Sequence, residues 1–255
     1  MPGSAAHIVL SGCVRLIGSM CRAPRWHTRI NCVRNLHGGV TVVKQKNIVF
    51  RGLAGAIDCA LDWPEDEPAG WALVLHPHPL HGGARDNKIV TTISRACTQR
   101  GLVAVRPNFR GVGASGGEFD HAVGETADML ELVAQFTQAW PAEAAGKWVL
   151  AGFSFGTSVA AQLYSELAAQ QDAKVPDALM LLGSAVERFR FREVTVPDDT
   201  LLVHGEVDEV VPLSEAMDFA RQRGLPVVVI PDATHFFHGR LVVLKQLLLR
   251  HLAAL

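Results

Sequence analysis

The sequence predicts an α/β fold with a mostly parallel central sheet and helices on both faces. Three observations predict it. From residue 42 onward, short apolar runs alternate with amphipathic stretches of helical length, which implies parallel pairing through right-handed crossovers. The runs are continuous rather than alternating, as strands must be when helices cover both faces. At 255 residues the chain can bury one large core without disulfide or metal staples.

Taken in order, residues 42–50 and 56–61 read as two antiparallel strands, with Gly52 and Gly55 near the turn. Residues 63–68 form a polar loop, and 71–76 a buried strand. Residues 87–100 are a helix closed by Gly101. A strand follows over 102–106. A helix over 119–140 carries Met129, Leu132, Val133 and Phe136 on one face. Residues 147–152 are a strand, 156–170 a helix and 178–182 a strand. Residues 200–204 are a strand, 213–223 a helix, 227–230 a strand and 240–252 the last helix. In such sheets a site forms at the carboxyl ends of the strands. The five tryptophans form no stripe, so packing is their expected role.

Composition narrows the function classes. The chain is 49% hydrophobic and 19% charged with net charge −1, so no global basic field recruits nucleic acid. No run of 18 uncharged apolar residues suggests a spanning helix. Five cysteines without a CxxC pair indicate neither a zinc site nor a disulfide framework, and a reducing, cytoplasmic setting is expected.

Charge is unevenly spread. The first acidic residue is Asp58, after eight cationic ones from Arg15 to Arg51. This shift and the Gly38-Gly39 pair mark a boundary, giving an extension over 1–39 and a catalytic body over 40–255. The extension reads as a targeting peptide, a lipoprotein signal at Leu10-Ser11-Gly12-Cys13, a basic arm, or a stretch upstream of the true start. It lacks periodicity and is expected to be disordered or outside the body.

The chemistry sits after the strands. Gly152-Phe153-Ser154-Phe155-Gly156 is a G-x-S-x-G phrase between a predicted strand and a predicted helix, where the chain turns sharply and exposes Ser154. A hydroxyl needs a base. His235 and His238 both lie after the last strand; His235 directly follows it and is the expected base, while His238 is nearer the final helix. Asp208 lies between, in His204-Gly205-Glu206-Val207-Asp208-Glu209-Val210-Val211-Pro212. The order Ser, acid, His is that of α/β-hydrolases, with Asp208 orienting His235.

These residues carry a resemblance. From residue 42 onward the chain resembles the α/β-hydrolase superfamily, and within it a bacterial group of small, lid-poor serine hydrolases. The shared phrases are His76-Pro77-His78-Pro79-Leu80-His81-Gly82-Gly83, Asn87-Lys88, Asn108-Phe109-Arg110-Gly111-Val112-Gly113 with Ser115, the Ser154 elbow, the Asp208 phrase, and His235-Phe236-Phe237-His238-Gly239. The resemblance implies the α/β-hydrolase fold without a large cap domain. It implies a catalytic set of Ser154, Asp208 and His235, with Glu206 and Glu209 as loop carboxylates and His204 as a structural donor. It also implies a Phe155 N–H in the oxyanion hole, joined by that of His78, or second by that of Leu80. Hydrolysis of a small ester, thioester or amide without a cofactor is the function implied.

Other readings attach to the same residues. His76-x-His78-x-x-His81 has metal-ligand spacing, but Leu80 stands where an Asp is expected and the strand–helix alternation does not fit that fold. Alternatively the three histidines decorate a rigid turn. A non-catalytic binding module on the same fold would require a broken triad. Arg106 and Arg110 are candidates for an acidic substrate group, or Arg110 ties the Gly111–Gly117 loop to the body. Between residues 182 and 200 there is room only for a short helix, where Phe189 and Phe191 rim the site or pack on the sheet edge.

Overall fold

Every residue of Gly70–Leu75 (β4) is buried, because successive side chains enter opposite faces of the sheet and both faces are covered. Trp71, Leu73 and Leu75 join one core; Ala72 and Val74 join the other. The structure is a computed structural model and describes residues 27–34 and 40–255.

The sheet has nine strands in the order β1-β2-β3-β5-β4-β6-β7-β8-β9. His27–Arg34 (β1), Val40–Gly52 (β2) and Gly55–Trp63 (β3) run antiparallel, and β3 pairs antiparallel with Leu102–Pro107 (β5). From β5 the pairing is parallel through β4, Lys147–Phe153 (β6), Ala178–Leu182 (β7), Leu201–Gly205 (β8) and Val227–Ile230 (β9). The chain winds outward from β4 to β5, then crosses back to β6 on the other side of β4. A crevice opens at such a reversal, beyond the strands' carboxyl ends.

Lys88–Thr98 (α1) and Leu241–Leu252 (α7) cover one face, through Ile89, Val90, Ile93, Leu244 and Leu248. Val123–Ala139 (α2) and Phe155–Ala168 (α4) cover the other, through Met129, Leu132, Phe136, Val159 and Leu163. Three tryptophans far apart in sequence form one ladder here. Trp71 stacks between Phe136 (4.3 Å) and Trp148 (4.9 Å), and Phe136 stacks on Trp140 (5.0 Å). Pro141–Ala145 (α3), Val186–Phe189 (α5) and Leu213–Arg223 (α6) complete the helices. Among the described residues no helix is long and apolar enough to cross a membrane.

Two differences from the sequence reading have physical causes. Residues 27–34, which the sequence reading leaves outside the sheet, pair with 40–47 along their whole length. A strand at a sheet edge needs only one partner, so it shows no run of apolar residues. The helix expected over 119–140 begins only at Val123 and ends at Ala139. Glu125 accepts the N–H groups of Asp120 and Ala122, both at 2.9 Å, and so turns the chain before the helix starts.

A buried ion network fixes the segment between β4 and α1. Arg106 reaches both oxygens of Asp62 (2.7 and 3.2 Å), and its Nη1 donates to the Arg85 carbonyl (2.7 Å) and Asp86 (2.9 Å). Ser94 also donates to Asp62, at 2.5 Å. Arg85 pairs with Asp58 at 2.5 Å and donates its N–H to Asn108 at 2.9 Å. Arg110 pairs instead with Asp128 (2.5 Å), whose carboxylate also accepts the Leu53 N–H (2.7 Å). Both arginines are therefore held by the protein's own carboxylates. Arg106→Met is expected to leave Asp62 buried without its charge partner and to cost about 3–5 kcal/mol. Urea unfolding of the variant against the unsubstituted protein measures this directly.

Candidate active site

Ser154 stands between the end of β6 and the start of α4, with φ 54° and ψ −122°. A residue with a side chain rarely adopts such a backbone, and the surroundings must hold it there. Two close approaches do so. A Cβ on Gly152 would lie 2.2 Å from the Gly156 carbonyl, and one on Gly156 would lie 2.6 Å from the Leu75 carbonyl. Only glycines allow β6, α4 and the end of β4 to come this near. The Ser154 N–H donates to Leu182 (2.9 Å), and its carbonyl accepts from the Thr157 N–H (2.8 Å) and hydroxyl (2.6 Å).

The side chain of Ser154 faces an imidazole. His235 Nε2 lies 2.9 Å from Ser154 Oγ, and His235 Nδ1 lies 2.7 Å from Asp208 Oδ2. The loops after β6, β8 and β9 thus bring Ser154, Asp208 and His235 into one hydrogen-bonded line. All three are buried. Phe153 and Phe236 flank the His235 ring at 5.0 and 5.1 Å. His238 is exposed beyond Phe236, and among the described residues it makes no hydrogen bond to Ser154 or Asp208.

Asp208 is surrounded by donors. Its Oδ1 accepts the N–H groups of Val210 (2.9 Å) and Val211 (2.7 Å). Its Oδ2 receives His235 and, at 3.3 Å, His204 Nε2. Burial pushes the carboxyl pKa up, but the hydrogen bonds from His204, His235 and Val211 outweigh it and hold the group well below the usual range. Asp208 therefore stays ionised throughout the pH range of ordinary enzymes.

The β8 and β9 loops are fastened to each other. Glu206 donates its N–H to the Ile230 carbonyl and Val207 donates its own to Ala233, both at 3.1 Å. In return the Glu206 carboxylate accepts the Asp232 N–H (3.0 Å), and that of Glu209 accepts the His235 N–H (3.3 Å). The sequence reading sets both glutamates aside as loop carboxylates. Their anchoring role carries no motif signal, because the partners lie 26 residues further on.

The loop after β4 approaches from the other side of the elbow. His76 is fully buried. Its Nε2 accepts the Phe109 N–H (2.9 Å), so Nδ1 carries the proton and donates to the Pro77 carbonyl (2.6 Å). Both ring nitrogens serve the backbone, and burial lowers the pKa to about 4 against the opposing effect of the Pro77 bond. Leu80, the second oxyanion candidate, donates its N–H to His78 Nδ1 at 3.2 Å. The His78 ring packs against Phe119 (4.6 Å), Phe155 (5.2 Å), Phe189 (5.2 Å) and His81 (4.4 Å). Phe155 opens α4, where an N–H has no acceptor within the helix. Among the described residues no group of three or more His, Cys, Asp or Glu is arranged to hold a metal ion.

The segment between β7 and β8 contains only the short α5 and so carries no cap domain. Phe189 packs on Phe155 at 5.1 Å, while Phe191 is exposed. The arginines here are ion-paired: Arg188 with Glu215, Arg190 with Glu187 and Glu193, and Arg192 with Glu166. Leu80 and Phe236 are exposed as well, in the loops that carry His78 and His235.

No family model matches the chain. It is similar to a lid-less α/β serine hydrolase of Xanthomonas campestris, with 32% identity, TM-score 0.74, and 82% of this chain and 94% of that chain covered. It is also similar to an α/β serine hydrolase homologue of Coxiella burnetii, with 36% identity, TM-score 0.68 and coverage of 80% and 95%. An uncharacterized Rickettsia prowazekii protein is 30% identical over 198 residues, 74% of this chain and 81% of that protein.

The buried His76 makes stability depend on pH. Its folded pKa lies below the ordinary 6.5, so its contribution is full above that value. As pH falls from 6.5 toward 4 the unfolded chain takes up the proton first, and stability drops by about 3 kcal/mol. His76→Gln is expected to flatten this slope in urea unfolding between pH 7 and 4; an unchanged slope contradicts the assignment.

Proposed function

This chain belongs to the α/β serine hydrolases without a lid, and we propose that within that family it hydrolyses small carboxylic esters through an acyl-enzyme. The hydrogen-bonded line from Asp208 through His235 to Ser154 carries this reading. Residues 40–255 form the catalytic unit, with β1 as an added edge strand.

Ser154 Oγ attacks the ester carbonyl carbon while His235 Nε2 takes its proton. The developing oxyanion accepts the N–H groups of Phe155 and His78; the Leu80 N–H is already donated to the His78 ring. Collapse of the tetrahedral intermediate breaks the bond to the leaving alcohol, which takes the proton from His235. Water then attacks the acyl-enzyme by the same steps in reverse roles. Asp208 stabilises the imidazolium throughout without becoming protonated.

The absence of a cap between β7 and β8, the exposed Leu80, Phe191 and Phe236 and the paired arginines of this segment favour an uncharged ester with an apolar or aryl acyl group. A thioester or amide would use the same groups, and a panel of activated esters and thioesters of graded acyl length ranks them. A fluorophosphonate probe is expected to label Ser154, and Ser154→Ala to abolish labelling; labelling that survives the substitution refutes the nucleophile. His235→Ala is expected to lower kcat by about 10⁴-fold, and His238→Ala by about tenfold or less. Activity that is lost on chelation and restored by zinc would refute the metal-free mechanism.

A further inference from the structure

We propose that His204 is a positioning residue for the triad acid, a second imidazole N–H set beside the Asp208 carboxylate in addition to that of His235. The inference rests on Ser154, His235 and Asp208 being the reacting triad.

His204 lies near the end of β8 and is fully buried. Its Nε2 is 2.8 Å from the Val211 carbonyl and 3.3 Å from Asp208 Oδ2. A carbonyl oxygen only accepts, so Nε2 must carry the hydrogen, which goes to Val211 while the carboxylate lies 3.3 Å from the same nitrogen and feels the positive end of that N–H. Nδ1 is then a bare lone pair, buried and without a hydrogen-bond partner among the described residues. An unmet buried acceptor is a cost. A nonpolar ring would fill the same space without it, so the polar work of this side chain lies wholly on its Nε2 side.

Val211 closes the arrangement. Its N–H donates to Asp208 Oδ1 at 2.7 Å, while its carbonyl accepts from His204. His204, Val211 and Asp208 therefore form a closed ring of two hydrogen bonds and one 3.3 Å imidazole–carboxylate contact, which fixes the rotation of the carboxylate. Part of the anion's charge is also met by His204. His235 thus faces a weaker base than a carboxylate held by one imidazole alone. The other charges acting here are Arg188 and Glu215, which are paired with each other at 2.6 Å, and Glu209, whose carboxylate accepts the His235 N–H at 3.3 Å.

His204→Phe keeps a ring and removes the donor; His204→Gln returns an N–H at the ε position; His204→Asn carries the same amide one atom short. Rates are divided by the concentration of sites labelled by fluorophosphonate, so loss of folded protein does not enter. His204→Phe is expected to lower kcat by about 10- to 100-fold with KM little changed. Because Asp208 then acts on His235 undivided, the imidazolium is stabilised. The acidic limb of kcat/KM should move up by about half a pH unit or more. His204→Gln is expected to recover most of the loss, and His204→Asn not to. The Gln–Asn contrast holds even where the Phe variant does not fold. An unmoved limb with an unchanged rate per labelled site overturns the proposal alone, as does a Gln variant no better than Asn. Absence of Ser154 labelling in the unsubstituted enzyme overturns it together with the triad.

Discussion

The arrangement of the site depends on backbone lying directly against backbone at the Ser154 elbow. Gly156 sits so near the Leu75 and His76 carbonyls that even a methyl group would overlap them. That contact sets the distance between the end of β4 and the start of α4. It therefore also sets how the loop carrying His78 faces the first N–H of α4. The strained backbone of Ser154 follows from the same crowding, since the chain must leave β6 and enter α4 without room for a wider turn. Dispersion and hydrogen bonding on both faces of the sheet keep these segments together against that strain. The Arg106 network extends the effect by holding the Arg85 carbonyl, and with it the exit of the loop into α1.

On the other side of the elbow the constraint is electrostatic. Asp208 is buried, which alone would favour its neutral form. Three N–H groups bond to it, a fourth from His204 lies 3.3 Å away, and together they reverse that preference. The loop bearing it and the loop bearing His235 exchange hydrogen bonds in both directions, so acid and base move as one body. A nucleophile on one rigid element and a base on another, each fixed independently, need little rearrangement before reaction.

Legibility in the sequence follows from how local each feature is. The elbow is readable because its glycines and serine occupy five consecutive positions between a strand and a helix. The aspartate and histidine that line up with Ser154 are readable from chain order, and His235 rather than His238 is the one in hydrogen-bond contact with both Asp208 and Ser154. The anchoring glutamates are not readable, because Glu206 and Glu209 find their partners across a strand boundary that only the folded sheet brings together. The same holds for the Trp71–Trp148 stack, which joins neighbouring strands, and for Arg106, whose partners come from two separate segments. β1 escapes notice for another reason: its eight residues include two arginines, a histidine and an asparagine, and the charge asymmetry around them suggests a boundary where the pairing in fact continues. The early start expected for α2 fails at Glu125, where a side chain reaches backward and competes with the helix for backbone donors.

The position of His235 close to the final helix has a consequence for the protein's biosynthesis. The ribosome delivers Ser154 long before it delivers the imidazole that lies beside it. During that interval the elbow can form on β4 and β6, but its hydroxyl lacks the imidazole that lies 2.9 Å away in the folded protein. On the proposed mechanism, reactivity arrives only when β9 joins the sheet and brings His235 with it. On that mechanism the nascent chain is thus chemically silent until His235 has been made and placed beside Ser154.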